Sequence, residues 1–267
     1  MKTRIHIFAA LMLTPSIIVM ASTLQARTDQ KLAKEAHGKS IAAGGTIDNS
    51  TRPADDVVRD GARKPAEMVK FAGIKSGMTV VDMLPGGGYF TRIFSQTVGS
   101  KGKVIALVSD QYAKAFPKAG TDITSLAAEP AYKNVEAAIR NLGDVAPAGT
   151  ADVVWTAQNY HDLHSKNLPA GVALGIDTAV FTALKPGGYY VVIDHSAAAG
   201  SGLRDVDTLH RIDAAVLKAE VLKAGFVFDG ESKLLANPAD DRTKVVFDPA
   251  IRGKTDQFIL RFKKPLK

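Results

Sequence analysis

The sequence predicts a doubly wound α/β fold, in which a seven-stranded, mostly parallel sheet with an antiparallel last strand lies between two layers of helices. Short apolar runs rich in β-branched residues alternate along the chain with helical segments, which is typical of a parallel sheet. The last two predicted strands have no helix between them, so we expect them to pair antiparallel. The length of 267 residues suits one large domain, and no internal repeat indicates a solenoid.

Each element follows from a local pattern. Two short helices are predicted near prolines, at 53–60 and 65–72, because proline fits the first turn of a helix. Apolar runs between turn-forming residues predict strands at 78–82, 103–108, 135–139, 151–156, 189–194, 226–228 (the start of a longer strand) and 257–263. The segments between the strands predict helices at 91–98, 112–116, 122–127 and 178–184.

The clearest helical pattern covers 207–223. Its apolar residues recur at helical spacing and would line one face: Leu209, Ile212, Val216 and Leu217. On this helix His210 and Asp213 would be neighbours, because residues three apart lie on the same face. The stretch 236–256, between the last two strands, is long for a loop of a compact domain, and we expect either a lid over a site or a solvated excursion.

The first 26 residues have the pattern of a secretory signal peptide. Lys2 and Arg4 precede an apolar stretch from Ile5 to Ala21, and the small residue Ala26, near which we expect cleavage, precedes a polar run. The stretch is short and interrupted for a membrane span, although an uncleaved anchor is the alternative. We therefore expect a signal peptide over 1–26, a flexible leader over 27–51 and an α/β domain over 52–267. The mature protein would be periplasmic or secreted by a bacterium, without a stable membrane anchor.

Composition narrows the chemistry. The chain has no cysteine, which excludes disulfides, thiolate metal sites and a thiol nucleophile. The formal net charge is +7, but the positive residues are scattered and not interleaved with aromatic residues. Nucleic acid is therefore not an expected partner.

A glycine-rich loop, Asp82-Met-Leu-Pro-Gly-Gly-Gly-Tyr89, follows the first predicted strand. Glycines let a ligand approach the backbone closely, and the helix that follows offers unpaired N–H groups. The loop lacks the spacing of dinucleotide-binding and triphosphate-binding loops. A tight strand-to-helix turn without a ligand is the alternative.

The wider pattern resembles class I S-adenosylmethionine-dependent methyltransferases, and within them a group of exported bacterial predicted methyltransferases. Asp82, Gly86 and Gly88 match the first motif, in which Leu84 replaces the first glycine. The stretches 141–144, 151–155, 184–189 and 224–226 match in the same order, so the resemblance covers about 52–264. It implies a Rossmann-like fold and S-adenosylmethionine as cofactor, held by Asp82, Pro85, Gly86, Gly87, Gly88, Tyr89, Asp110, Asp144 and Asn159.

One departure concerns the end of the second strand, where the family carries an acid for the ribose. Leu107, Val108 and Ser109 occupy that place, and Asp110 follows slightly later. Asp110 would either bind the ribose or cap the next helix.

Four histidines fall at predicted strand ends or helix starts on the ligand side of the sheet: His161, His164, His195 and His210. As general bases, His161 with Asp162 or His210 with Asp213 would deprotonate a methyl acceptor, with Tyr160 nearby. As metal ligands, His161, His164 and His195 would act with an aspartate. As structural residues, the histidines would only pack.

The sequence therefore predicts a methyltransferase acting on an unidentified small molecule in the cell envelope. The alternative is an exported protein of the same fold without methyl transfer, a ligand- or metal-binding module centred on the four histidines.

Overall fold

A computed structural model describes residues 47–267, which lie within one structural unit. The predicted signal peptide, and the predicted leader up to residue 46, lie outside the described residues. The strands are β1 (Thr79–Met83), β2 (Lys103–Ser109), β3 (Val135–Arg140), β4 (Ala151–Ala157), β5 (Leu184–His195), β6 (Val227–Ser232) and β7 (Gln257–Lys263). They form one sheet in the order β3-β2-β1-β4-β5-β7-β6.

The first five strands pair in parallel, and β7 pairs antiparallel with both β5 and β6. The predicted seven-stranded α/β fold and its antiparallel end are confirmed. The helices are α1 (Ala54–Val58), α2 (Asp60–Arg63), α3 (Pro65–Ala72), α4 (Tyr89–Val98), α5 (Asp110–Ala115), α6 (Pro117–Ala128), α7 (Val172–Ala183), α8 (Val206–Leu209) and α9 (Ala214–Lys223). Among residues 47–267, none of these helices combines the length and the apolar character that a membrane crossing requires.

Each face of the sheet carries its own hydrophobic core, which is why the central strands are apolar on both sides. One core contains Tyr160, Tyr190 and Leu217 with residues of α7 and α9. The other contains Trp155, whose ring packs 4.7 Å from that of Phe90, between ring centroids. Together the two cores fix the positions of the C-terminal ends of the strands, where the ligand sites of such folds lie.

The prediction of one helix over 207–223 is wrong. α8 ends at Leu209, and His210 takes a left-handed conformation with φ +55°. Ile212 then forms a parallel bridge with Ser196, and its N–H donates to the carbonyl of His195 at 3.1 Å. Asp213 begins α9 as its N-cap, accepting from the Ala215 N–H at 2.9 Å. Aspartate is favoured at such caps because its side chain bonds the free N–H groups of the first turn.

The long loop between β6 and β7 is fixed to the rest of the domain by one buried ion pair, and further contacts lie within the loop itself. Arg211, fully buried, contacts Asp240 of the loop at 2.8 Å through Nη1. Asp240 also accepts from the Asp256 N–H at 2.7 Å, and Arg242 pairs with Asp256 at 2.9 Å. The loop is therefore tied across the end of the sheet on which the candidate site lies.

Candidate functional site

The glycine loop leaves β1 at the carboxyl edge of the sheet. Leu84, which stands where the family has a glycine, takes φ +53°, a left-handed conformation that glycine adopts more easily. Gly88 is favoured because its φ is +80°, and an added Cβ would also lie 2.4 Å from the end of the Leu126 side chain, which would have to move. Gly86 and Gly87 are different, because a Cβ on either would meet no atom within 4 Å. The backbone at Gly86 and Gly87 is thus open to a ligand, as the predicted cofactor role requires.

Asp82 lies below this loop, and only 2% of its surface is exposed. Its Oδ2 accepts a hydrogen bond from the Thr91 hydroxyl at 2.6 Å. Burial raises the pKa of Asp82 to about 7, although the hydrogen bond from Thr91 and the charge of Arg63 oppose the shift. The structure brings Asp82 to the loop as predicted, and places its carboxylate against α4.

We expect Asp82→Asn to flatten the pH dependence of stability. An aspartate in the unfolded chain titrates near 3.9, so between about pH 4 and 7 the folded protein keeps a proton that the unfolded chain has lost. The free energy of unfolding therefore falls as pH rises through this window, by roughly a few kcal/mol in total. Urea unfolding at several pH values measures this slope. Asp110→Asn, at an exposed carboxylate, is the control that should leave the slope unchanged. The prediction would be contradicted if the free energy of unfolding of Asp82→Asn had the same slope against pH as that of wild type.

The other predicted cofactor residues are spread along the edge. The Tyr89 hydroxyl donates to Asp60 of α2 at 2.6 Å, so this side chain is bound to the N-terminal helices. Ser109 caps α5 by accepting from the Tyr112 N–H, which leaves the Asp110 carboxylate outside the capping contact. Asp110 is 3.9 Å from Lys114 and largely solvated.

Asp144 is exposed on the loop after β3, while Pro85 is partly buried. The side-chain amide of Asn159 donates to the carbonyl of Leu84 at 3.0 Å, and the carboxamide oxygen of Asn159 accepts from Thr156. Asn159 therefore fixes the glycine loop to the end of β4.

The histidine cluster centres on a buried pair, His161 and Asp194. His161 Nδ1 lies 2.9 Å from Asp194 Oδ1, and the His161 N–H donates to Oδ2 at 2.7 Å. The His195 N–H donates to the same carboxylate at 2.8 Å. Burial disfavours the imidazolium, but the Asp194 charge outweighs it and raises the pKa of His161. Asp194 is fully buried, yet His161 lowers the pKa of this carboxyl.

The other ring nitrogen of His161 faces two further groups. Nε2 lies 3.3 Å from Nδ1 of His210 and 3.3 Å from Oδ1 of Asp162. His210 reaches this position only because α8 has ended and the chain has turned at that residue. His161, Asp162 and His210 thus converge, as the sequence predicted for the first two.

Other members of the predicted cluster have different surroundings. His195 Nδ1 is 2.7 Å from the Thr255 hydroxyl, and burial lowers the pKa of His195 to about 4. His164 Nε2 contacts Glu220 at 2.8 Å, next to Tyr160. The set of His161, His164 and His195 as joint metal ligands is therefore not brought together.

Two predicted catalytic residues are bound elsewhere. The Tyr160 hydroxyl donates to Asp177 at 2.8 Å inside the core, and burial raises the pKa of Tyr160. Asp213 accepts from two backbone N–H groups, those of Ala215 and Gly200, and is the cap of α9. The expected pair of His210 and Asp213 on one helix is wrong, because the helix is interrupted between them.

Asp194 belongs to the candidate site, although the sequence patterns predicted no role for it. The strand pattern predicted its position at the end of β5, where the acids of such sites lie. The adjacent Asp162 was the expected partner of His161, but Asp194, 33 residues away, holds its imidazole.

A cavity of about 430 Å³ opens beside the cluster. It lies between α2, the ends of β4 and β5, and the loop that precedes β7. His195 and Phe247 line it, and the Phe247 ring is 4.8 Å from that of His210. The loop over 236–256 therefore forms one wall of a cavity.

The chain matches no protein-family model and no curated protein. It resembles a solved SAM dependent methyltransferase from Aquifex aeolicus, with 20% identity, TM-score 0.54 and coverage of 77% of this chain and 97% of that one. The (4+2)-cyclase SpnF has 15% identity, TM-score 0.57 and coverage of 91% and 96%. A protein from Bordetella parapertussis, described as a possible exported protein, has 14% identity, TM-score 0.50 and coverage of 89% and 79%. The shared feature is the class I methyltransferase fold, and the cyclase illustrates that this fold does not fix the reaction.

Proposed function

We propose that this protein is an S-adenosylmethionine-dependent methyltransferase for a small-molecule acceptor in the cell envelope. The observation that carries the proposal is the buried pair of Asp194 and His161 at the carboxyl edge of a methyltransferase-type sheet, beside an open glycine loop. Export rests on the signal-like residues 1–26, and one similar structure is described as a possible exported protein. N-terminal sequencing of exported protein that began at Met1 would contradict signal cleavage.

The residues at the edge fit the cofactor at the loop. Gly86 and Gly87 offer open backbone, and the Asp110 and Asp144 carboxylates lie after β2 and β3. When bound, S-adenosylmethionine supplies an electrophilic methyl group on a sulfonium, and these residues would hold it.

His161 is suited to take a proton from the acceptor. Asp194 accepts from the Nδ1–H, so the neutral imidazole carries its lone pair on Nε2. Nε2 points toward His210 and Asp162, away from the buried carboxylate. Because the base must be neutral, methyl transfer should increase as pH rises through the raised pKa of His161.

Binding of S-adenosylhomocysteine tests the cofactor part directly. We expect Gly87→Leu to weaken this binding about 10-fold or more, because the new side chain fills the open space above the loop. Gly175→Leu is the matched control, since Gly175 is also exposed with no atom within 4 Å of an added Cβ, on α7. Isothermal titration measures the affinity. No binding to the folded wild-type protein would overturn the cofactor assignment, and an unchanged affinity in Gly87→Leu would remove the glycine loop from the site.

A second candidate function, metal binding, is favoured by the geometry of His161, Asp162 and His210. Their ligand atoms lie 3.3, 3.3 and 3.8 Å apart and form one group within 4.8 Å. Tetrahedral zinc with bonds near 2.0 Å spaces its ligands by roughly 3.3 Å. Asp194 behind His161 is also the kind of carboxylate that orients zinc-bound imidazoles.

Zinc titration separates the two candidates. If the protein is a metal-binding module, metal analysis finds one zinc per chain, His210→Ala loses it, and His164→Ala keeps it. If His161 is instead a free base, protein treated with EDTA binds no stoichiometric zinc on titration and still binds S-adenosylhomocysteine.

A further inference from the structure

Arg63 places a positive charge at the cavity, and among the described residues no acid forms a salt bridge with it. Its guanidinium donates to the side-chain oxygen of Gln158 at 3.0 Å and stacks 4.6 Å from the ring centroid of Tyr89 and 5.0 Å from that of Phe90. Within residues 47–267 it forms no salt bridge, whereas its neighbour Arg59 pairs with Asp56. Burial, and then repulsion by Arg59, lower the pKa of Arg63, and the more distant charges of Asp82 and Asp56 only partly oppose this shift. Because a guanidinium stays protonated in proteins, Arg63 keeps a positive charge that has no direct ion-pair partner among the described residues.

The lining of the cavity has the same character. Among the described residues that line it, three are arginines (Arg59, Arg63 and Arg252) and none is acidic. His195, also in the wall, is neutral near pH 7, since the pKa of this histidine is lowered to about 4. The remaining surface is mainly apolar, with Phe90 and Phe247 as its aromatic members.

Gln158 holds the Arg63 guanidinium toward the cavity. It follows β4 directly and takes φ +66°, a left-handed conformation that is unusual for glutamine. Its oxygen accepts from Arg63, while its nitrogen donates to the side-chain oxygen of Gln257 at 3.1 Å. The guanidinium is therefore positioned by an amide, which leaves its charge for another group.

We propose that this cavity binds a small carboxylic acid with an apolar, preferably aromatic, body, and that Arg63 is the counter-charge of its carboxylate. A guanidinium and a carboxylate match as a two-pronged hydrogen-bonded pair. A volume of about 430 Å³ is in the range of small-molecule sites. The apolar body would lie along Phe90 and Phe247, and Phe247 contacts His210. The inference rests on the proposed function only in making this acid the methyl acceptor.

Three probes separate charge from shape. 3-Phenylpropionate has both the carboxylate and the aromatic body, 3-phenylpropionamide lacks the charge, and acetate lacks the body. Binding is measured by calorimetry and by fluorescence of Trp155, the only tryptophan, which packs against Phe90 of the cavity wall. EDTA is present throughout, so that no metal ion can bind the carboxylate. We expect the acid to bind about 10-fold or more tightly than either other probe.

Variants of the arginines identify the counter-charge. Arg63→Gln should weaken 3-phenylpropionate binding about 10- to 100-fold and leave the amide unaffected, and Arg63→Lys should restore part of the loss. Arg204→Gln is the matched control, because Arg204 is exposed and lies outside the cavity. Should Arg63→Gln fail to fold, Arg252→Gln at the exposed rim decides, with an expected loss of a few-fold.

The inference is overturned if no probe binds, if the amide binds as well as the acid, or if folded Arg63→Gln binds the acid as wild type does. S-Adenosylhomocysteine is titrated into the same protein samples. If S-adenosylhomocysteine binds but 3-phenylpropionate does not, only the carboxylate site is contradicted. If 3-phenylpropionate binds but S-adenosylhomocysteine does not, only the proposed methyltransferase function is contradicted.

Discussion

Replacing Arg211 by methionine is expected to lower the free energy of unfolding by about 3–5 kcal/mol, because it leaves a buried carboxylate without its partner. Arg211 is fully buried, and its guanidinium contacts Asp240 at 2.8 Å. It also donates to the carbonyl oxygens of Lys244 and Ser196, both at 3.0 Å. The substitution removes one charge and orphans two carbonyl groups at once. The midpoint and slope of urea unfolding measure the loss.

The double variant Arg211→Met with Asp240→Asn is the control for this prediction. A neutral amide at 240 can still accept from the Asp256 N–H but is not a buried charge, so part of the lost stability should return. A single variant within about 1 kcal/mol of wild type would show that the pair does not hold the loop. Since the loop forms a cavity wall, Arg211→Met should also weaken binding of 3-phenylpropionate.

Asp194→Asn is expected to lower the pKa of His161, because burial then opposes the imidazolium with only the Asp162 charge to offset it. For a methyl acceptor that needs deprotonation, loss of the oriented base should reduce turnover by about 10²- to 10⁴-fold. The His161 ring protons, followed by NMR against pH, give the pKa without any acceptor. Asp177→Asn is the matched control, a second buried aspartate that contacts Tyr160 in the core. An unchanged His161 titration in Asp194→Asn would contradict the assignment.

The same pair predicts a stability profile in wild-type protein. The folded pKa of His161 is raised, so its contribution is full below the ordinary histidine pKa and is lost as pH rises through the raised value. The folded pKa of Asp194 is lowered, so its contribution is full above the ordinary aspartate pKa and is lost as pH falls through the lowered value. In Asp194→Asn the free energy of unfolding should therefore depend less on pH on both the acid and the alkaline side of the profile.

The strands could be predicted from the sequence because burial on both faces leaves short continuous apolar runs, as in 104–108 and 153–155. The break at His210 could not. Residues 207–223 have good helical periodicity, and the competing contacts are distant in sequence: Arg211 with Asp240, and Ile212 with Ser196. Tertiary contacts of this kind override local helix propensity.

The location of the candidate site could be predicted from the sequence, but the side-chain contacts within it could not. Strand ends brought the histidines to one edge, since parallel strands place their carboxyl ends together. Which groups touch depends on side-chain direction. Tyr160 and His161 are adjacent in sequence, yet Tyr160 enters the core beside Asp177 while His161 meets Asp194. Which side chain faces which partner depends on how β4 and β5 are aligned in the sheet. That alignment cannot be derived from the sequence pattern alone.

The three residues 210–212 give the loop and the base a common mechanical link. His210 faces His161, Arg211 anchors the loop through Asp240, and Ile212 is bonded to the end of β5. A displacement of the loop would act on Arg211, the residue next to His210, and so on the contact between His210 and His161. The cavity wall and the histidine pair therefore form one mechanical unit.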